Sequence, residues 1–132
     1  MSHLTHLIAD RPLARYTFPG LLLRLEGAVF LAAALLVYRS FSFSWLAFFL
    51  LLLLPDLTMI GYVWGQRAGS VLYNLGHTYI LPLGLGGISL WFGFMPGVQV
   101  AIIWLAHIGL DRLVGYGLKY PTDFKETHLS RV

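Results

Sequence analysis

His107 and Asp111 stand four residues apart, a spacing that brings both side chains to one face of a helix. An imidazole and a carboxylate so placed suit a divalent ion such as zinc, manganese or iron. His77 and Asp56 could complete the site from elsewhere in the chain, His77 as a third ligand and Asp56 as a fourth ligand or general base. Asn74, one helical turn before His77, is placed to orient that imidazole, since a metal-bound histidine needs a partner for its other ring nitrogen. Glu26 is a further candidate ligand, although Arg24 and Arg112 are equally suited to pair with it. Arg112 follows Asp111 directly and so points to a different side, where it could meet an anionic head group or snorkel.

The same residues permit other readings. Polar side chains can act as glue between membrane helices, which lack a hydrophobic drive to associate, and a buried polar layer can also conduct protons. His77 and His107 could instead be the axial pair of a bis-histidine haem. Thiolate sites are excluded, because the chain has no cysteine. No Ser/His/Asp order and no phosphate-binding glycine loop supports another hydrolytic mechanism. Asp123, Lys125 and His128 read first as a solvated tail and second as a lid over the site. His3 and His6 read as solvent-exposed.

Such groups need elements to hold them, and composition says what kind. Of the 132 residues, 58% are hydrophobic and only 11% charged, against about 45–50% and 25% in soluble domains. A chain this short could not hide so much apolar surface from water, so lipid is its expected solvent. About 20 apolar residues cross a bilayer as a helix, and four spans are predicted, at 19–38, 43–62, 70–94 and 98–118. Short turns at Arg39–Ser42, Gly65–Gly69 and Met95–Gly97 make neighbouring spans antiparallel. The expectation is an all-α integral membrane bundle of four transmembrane helices in up-down order, one domain over 1–132 with a tail at 119–132. Pro19 suits a first helical turn. Pro55 should kink or break the second span by removing a helix hydrogen bond, Pro82 and three nearby glycines should loosen the second half of the third, and Pro121 ends helical continuity. Arg24 and Glu26 interrupt the start of the first span, which argues for a retained helix over a cleaved signal peptide.

With an even number of spans, Arg11, Arg15, Arg67, Lys119, Lys125 and Arg131 fall on one side, with Arg24 and Arg112 in nearby helix ends, and only Arg39 falls on the other. Lysine and arginine mark cytoplasmic loops, so both termini are expected in the cytoplasm. The net charge of +3 is then a feature of topology, and the basic stripe that nucleic-acid binding needs is missing. Glu26, Asp56, His77 and Asp111 each lie six or seven residues from the cytoplasmic end of their span, and His107 lies eleven. At 1.5 Å per residue most of them share a layer about 10 Å deep. Each such group costs about 2.5–3.5 kcal/mol to insert, so their alignment calls for a shared purpose.

Leu54-Pro55-Asp56-Leu57, Asn74-Leu75-Gly76-His77-Thr78 and the segment from His107-Ile108-Gly109-Leu110-Asp111-Arg112 to Tyr120-Pro121-Thr122-Asp123-Phe124 resemble the domain of unknown function 4260 family. These are small bacterial membrane proteins without an assigned activity, and the resemblance covers nearly the whole chain. More distantly, the chain is similar to the inner-membrane metal-dependent hydrolase-like family regulated by the SOS repressor. Its members carry a Pro-Asp pair, a His-Ser/Thr element on the next helix, and HxxxD followed by glycine and proline. Here Pro55-Asp56, His77-Thr78, His107 with Asp111, then Gly115 and Pro121 match that pattern. Thr58 stands where that family has a second acid, and its additional His-Arg pair is missing, which speaks against a two-metal site. The expected protein is thus a membrane-embedded, metal-dependent hydrolase-like protein with one divalent ion, acting at the cytoplasmic leaflet. Because the site lies below the head groups, its expected substrate is an amphiphile or lipid; a homo-oligomer is compatible with the sequence.

Overall fold

The computed structural model describes residues 18–117; the N-terminal segment, the tail with Pro121, the lid residues Asp123, Lys125 and His128, and His3 and His6 lie outside the described residues. The architecture is all-α, with no strand among the described residues. Three helices are long and apolar enough to cross a membrane, Phe18–Ser40, Trp45–Trp64 and Met95–Val114. Much of their outer surface is leucine, valine and phenylalanine, with Val29 and Leu36 each 68% exposed. In water such a surface would aggregate; in a bilayer it is the solvated face. The chain is a helical membrane protein.

Helix α1, Phe18–Ser40, buries Gly20, Gly27, Ala34 and Tyr38, a narrow seam that packs along α5, Met95–Val114. The backbones touch where the two cross. A Cβ on Gly27 would fall 2.8 Å from the Gly109 carbonyl oxygen, and one on Gly109 would fall 2.8 Å from that of Gly27. Small residues that allow close approach are the usual device for joining membrane helices. Helix α5 is the hub, burying Ala101, Ile102, Ile103, Ala106, His107, Ile108 and Gly109. At its N-terminal half, Ala34, Tyr38, Phe48, Val98 and Ile102 form an apolar core. The Tyr38 hydroxyl ties the first turn to α5: it donates to the Ser44 carbonyl and accepts from Gln99 Nε2 at 3.1 Å.

The second pass begins at Ser44, whose hydroxyl accepts from the Ala47 N–H at 3.3 Å and caps α2, Trp45–Leu51. Proline 55 offers no N–H to the Leu51 carbonyl, and the α-helix stops there. The chain does not return to α geometry after this break but continues as a 3₁₀ helix, Leu54–Trp64, a run far longer than is usual for that form. Gly65, at φ 115°, makes the next turn alone, in a conformation that favours glycine. Helix α3 then starts at Gln66 and ends at Gly76, so residues 66–69, expected in a turn, are helical.

The pass expected as one helix over 70–94 is divided into α3 and α4, Ile80–Trp91, by His77-Thr78-Tyr79. The interruption precedes Pro82, which lies in the first turn of α4, where a missing N–H needs no partner. Helix α4 continues through Gly84, Gly86 and Gly87 without a break. Helix α5 ends at Val114, four residues before the predicted end, because Gly115 turns left-handed at φ 100°. The Tyr116 N–H then returns to the Asp111 carbonyl at 2.7 Å, the closing bond of a Schellman cap. Helices α1 and α4 pack on α5, while the 3₁₀ helix pairs with α3 as a hairpin that meets α5 over a short stretch only.

Candidate metal centre

The hairpin and α5 meet at four polar side chains. Asp56 comes from the 3₁₀ helix, His77 from the residue after α3, and His107 and Asp111 from successive turns of α5. One ligand atom from each lies within 4.8 Å of the other three. The Nε2 atoms of His77 and His107 are 3.1 Å apart. Asp56 Oδ1 is 3.0 Å from the first and 3.2 Å from the second, and Asp111 Oδ2 is 3.5 and 3.3 Å away in the same order. Ligands 2.0–2.2 Å from a tetrahedral ion stand about 3.3–3.6 Å from one another. The five separations that include an imidazole nitrogen are close to those of such a shell; the two carboxylate oxygens stand wider, within 4.8 Å, and would draw together around an ion.

The imidazoles are aimed by the helix breaks. His77 Nδ1 is 2.8 Å from the Tyr73 carbonyl oxygen and His107 Nδ1 is 2.7 Å from that of Leu52. A carbonyl only accepts, so each Nδ1 carries a proton and donates; in the neutral ring Nε2 then keeps its lone pair. Both carbonyls are available for a local reason. The 3₁₀ turn after Leu53 sends the Asp56 N–H to the Leu53 carbonyl at 3.0 Å instead of to Leu52. At the end of α3 the His77 N–H goes to the Asn74 carbonyl at 3.2 Å, which leaves Tyr73 to the side chain. The Tyr73 ring also stacks on the His77 ring, 3.8 Å between centroids and 9° from parallel.

The orphan carbonyls at the end of α3 find donors on α5. Trp104 Nε1 donates to the Gly76 oxygen at 2.5 Å, and Arg112 Nη2 donates to that of His77 at 2.7 Å. Arg112 Nη1 donates to the Tyr116 carbonyl at 2.9 Å. Arg112 is only 6% exposed; it is turned inward to pin the break that carries His77 and does not snorkel. Asn74 serves through its backbone carbonyl, and the Nδ1 partner of His77 is Tyr73. Glu26 is exposed on α1 and lies outside the four-residue group.

Sequence reasoning thus singled out all four residues of the group and missed the ones that aim them. Tyr73, four positions before His77, carried a signal in the aromatic pair it forms along one helix face. The Leu52 carbonyl could be suspected from Pro55, which disrupts the bonding of the preceding turn. Trp104 carried no signal beyond its place one turn before His107.

Two neutral imidazoles and two carboxylates turn four electron-rich atoms toward one point. The imidazole side chains are 0% and 4% exposed, those of Asp111 and Asp56 16% and 36%, so the group is closed on the histidine side and open at Asp56. A divalent cation would cancel the two carboxylate charges, leaving a neutral unit where isolated buried charge is costly. Haem does not fit, since a porphyrin would have to pass between nitrogens 3.1 Å apart with carboxylates against both.

Comparison with known proteins gives a family. The model of a domain of unknown function (DUF4260) matches residues 20–132, and the chain belongs to that family. No curated protein and no solved structure matches it.

Proposed function

We propose that this member of the DUF4260 family is a membrane-embedded, metal-dependent hydrolase-like protein with one divalent ion held by His77, His107 and Asp111. Asp56 is the fourth ligand or the general base. The observation that carries this reading is the convergence of four lone-pair atoms within 4.8 Å, with both Nδ1–H groups already committed to backbone carbonyls. An ion bound there would lower the pKa of water and polarise a carbonyl or phosphoryl oxygen. A catalytic zinc keeps one coordination position open, and Asp56, the most exposed of the four, is the residue able to yield it. In that case Asp56 accepts the proton of the attacking water. The distant motif resemblance supports hydrolysis as the reaction class.

The chain is read as four spans in a single domain, with both ends in the cytoplasm of a bacterial inner membrane. The basic residues grouped on one side support that orientation. The group then lies below the cytoplasmic head groups, where an amphiphile presents its polar linkage. A test is to reconstitute metal-loaded protein in vesicles of bacterial lipid extract and follow the lipids by mass spectrometry. Hydrolysis products should accumulate with the parent and be absent from Asp111→Ala and from chelated protein. A metal-loaded parent that releases no product sinks the hydrolase reading.

A second reading has its own observation: four protein ligands also make a closed structural site, and the hairpin has few other contacts with α5. The ion would then clamp the two together, and chelation would lower thermal stability with no activity to lose.

A further inference from the structure

Between the second pass and α5 lies an apolar groove of about 250 Å³. Its floor is Pro55 and Ile103, both buried, and its mouth is Leu54 and Val100, 43% and 37% exposed. Two wall residues carry polar atoms, and both atoms are already used. The Thr58 hydroxyl donates to the Pro55 carbonyl at 2.7 Å, and Trp104 Nε1 donates to Gly76. Nothing on the walls therefore asks for a polar ligand.

One end of the groove abuts the metal-binding group. Pro55 directly precedes Asp56, and Ile103 lies one helical turn before His107 on the same face of α5. A second cavity of about 320 Å³, walled by α1, α4 and α5, has no titratable residue in its lining, and so offers a reacting centre nothing. The first groove is smaller than the 300–1,000 Å³ typical of sites that enclose a whole drug-sized ligand, which suits a chain and not a bulky ring system. Its mouth opens among lipid-facing side chains; Leu50, Leu53 and Leu57 are 71%, 66% and 68% exposed. A lipid tail could enter sideways from the bilayer without crossing water.

We propose that this groove seats one acyl chain of a membrane lipid, which brings the polar linkage of that lipid to Asp56. The placement of the linkage rests on the metal-site reading; the seating of the chain does not. Lipid tails are as apolar as leucine, so moving from bilayer to groove gains little. The chain therefore acts as a guide for the head, and the groove walls select for a slender linear tail.

The test uses the full chain reconstituted in phosphatidylcholine vesicles doped with a phospholipid carrying a mid-chain diazirine. After irradiation, adducts are mapped by mass spectrometry and the metal content of the same sample is measured. Adducts should concentrate on Leu54, Val100 and Trp104, several-fold above Val29, Leu36 and Ile88, although those three are the more exposed to lipid. Val100→Phe fills the mouth and should bring groove labelling down to the level of those three while metal content holds. Val100→Ala, which removes bulk and should fold in any case, should keep the groove labelled and extend adducts to Ile103. Even labelling of all lipid-facing helices in the parent, or groove labelling unchanged by Val100→Phe, overturns the proposal. Groove labelling in a parent that binds no metal sustains the acyl site and sinks the metal reading. Metal with even labelling does the reverse.

Discussion

His77 and His107 face each other through Nε2 atoms 3.1 Å apart, and each gives its Nδ1–H to a backbone carbonyl that a helix interruption has released. Neither ring has a proton to offer the other in its neutral form. With two carboxylate oxygens against the same atoms, the arrangement is stable only around a cation or a captured proton.

Metal content separates these two cases. Protein purified without a histidine tag and loaded with zinc, manganese or iron should hold one ion per chain. His77→Ala, His107→Ala and Asp111→Ala should each lose it, and the double change at His107 and Asp111 should do no more than either alone, because both ligands serve one site. If the group is only polar glue, no variant binds metal and the substitutions add small stability losses, about 0.6 kcal/mol per contact.

Proline 55 should matter to the ion without touching it. Pro55→Ala restores the N–H that Leu51 lacks and favours α geometry through Leu52, which draws the Leu52 carbonyl back into the helix and away from His107 Nδ1. Loss of such an orienting partner lowers metal affinity about 10–100-fold. A chelator-competition titration giving the parental value would show that the proline does not set the histidine.

Protons compete with the ion for both Nε2 atoms, which bind metal only when neutral. Affinity should therefore be highest at alkaline pH and fall across the acid range. Dissociation constants measured across that range should rise on acidification. A flat profile would remove the histidines from the ligand set.

The crossing of α1 and α5 has no room for a side chain at Gly27, where a Cβ would meet Arg112 Cβ at 2.4 Å and Gly109 oxygen at 2.8 Å. Gly27→Val should cost about 1–3 kcal/mol, the usual range for overpacking. Thermal unfolding in detergent reads this directly, and an unchanged midpoint would mean that the two helices do not pack in this way.

Orientation is open to a separate test. Reporter fusions after Val132 should report cytoplasm and fusions near Arg39 the opposite side. The reverse would move the polar group to the outer leaflet and with it any substrate.

The membrane class, the helical architecture and the identity of Asp56, His77, His107 and Asp111 were legible in the sequence for direct reasons. Long apolar runs have only one stable backbone solution in lipid, and ionisable residues inside them are too costly to be incidental. Spacing alone placed His107 and Asp111 on one face. Tertiary structure decided what one-dimensional pattern does not encode. It turned Arg112 inward, left Glu26 outside and gave the Nδ1 of His77 to Tyr73. It also continued the chain after the break expected at Pro55 as a long 3₁₀ helix, and divided the third pass at His77 instead of leaving it whole to Phe94. These outcomes rest on backbone carbonyls, which carry no residue identity. Which of them is left free depends on how each helix ends, and which side chain reaches it depends on the neighbour packed there.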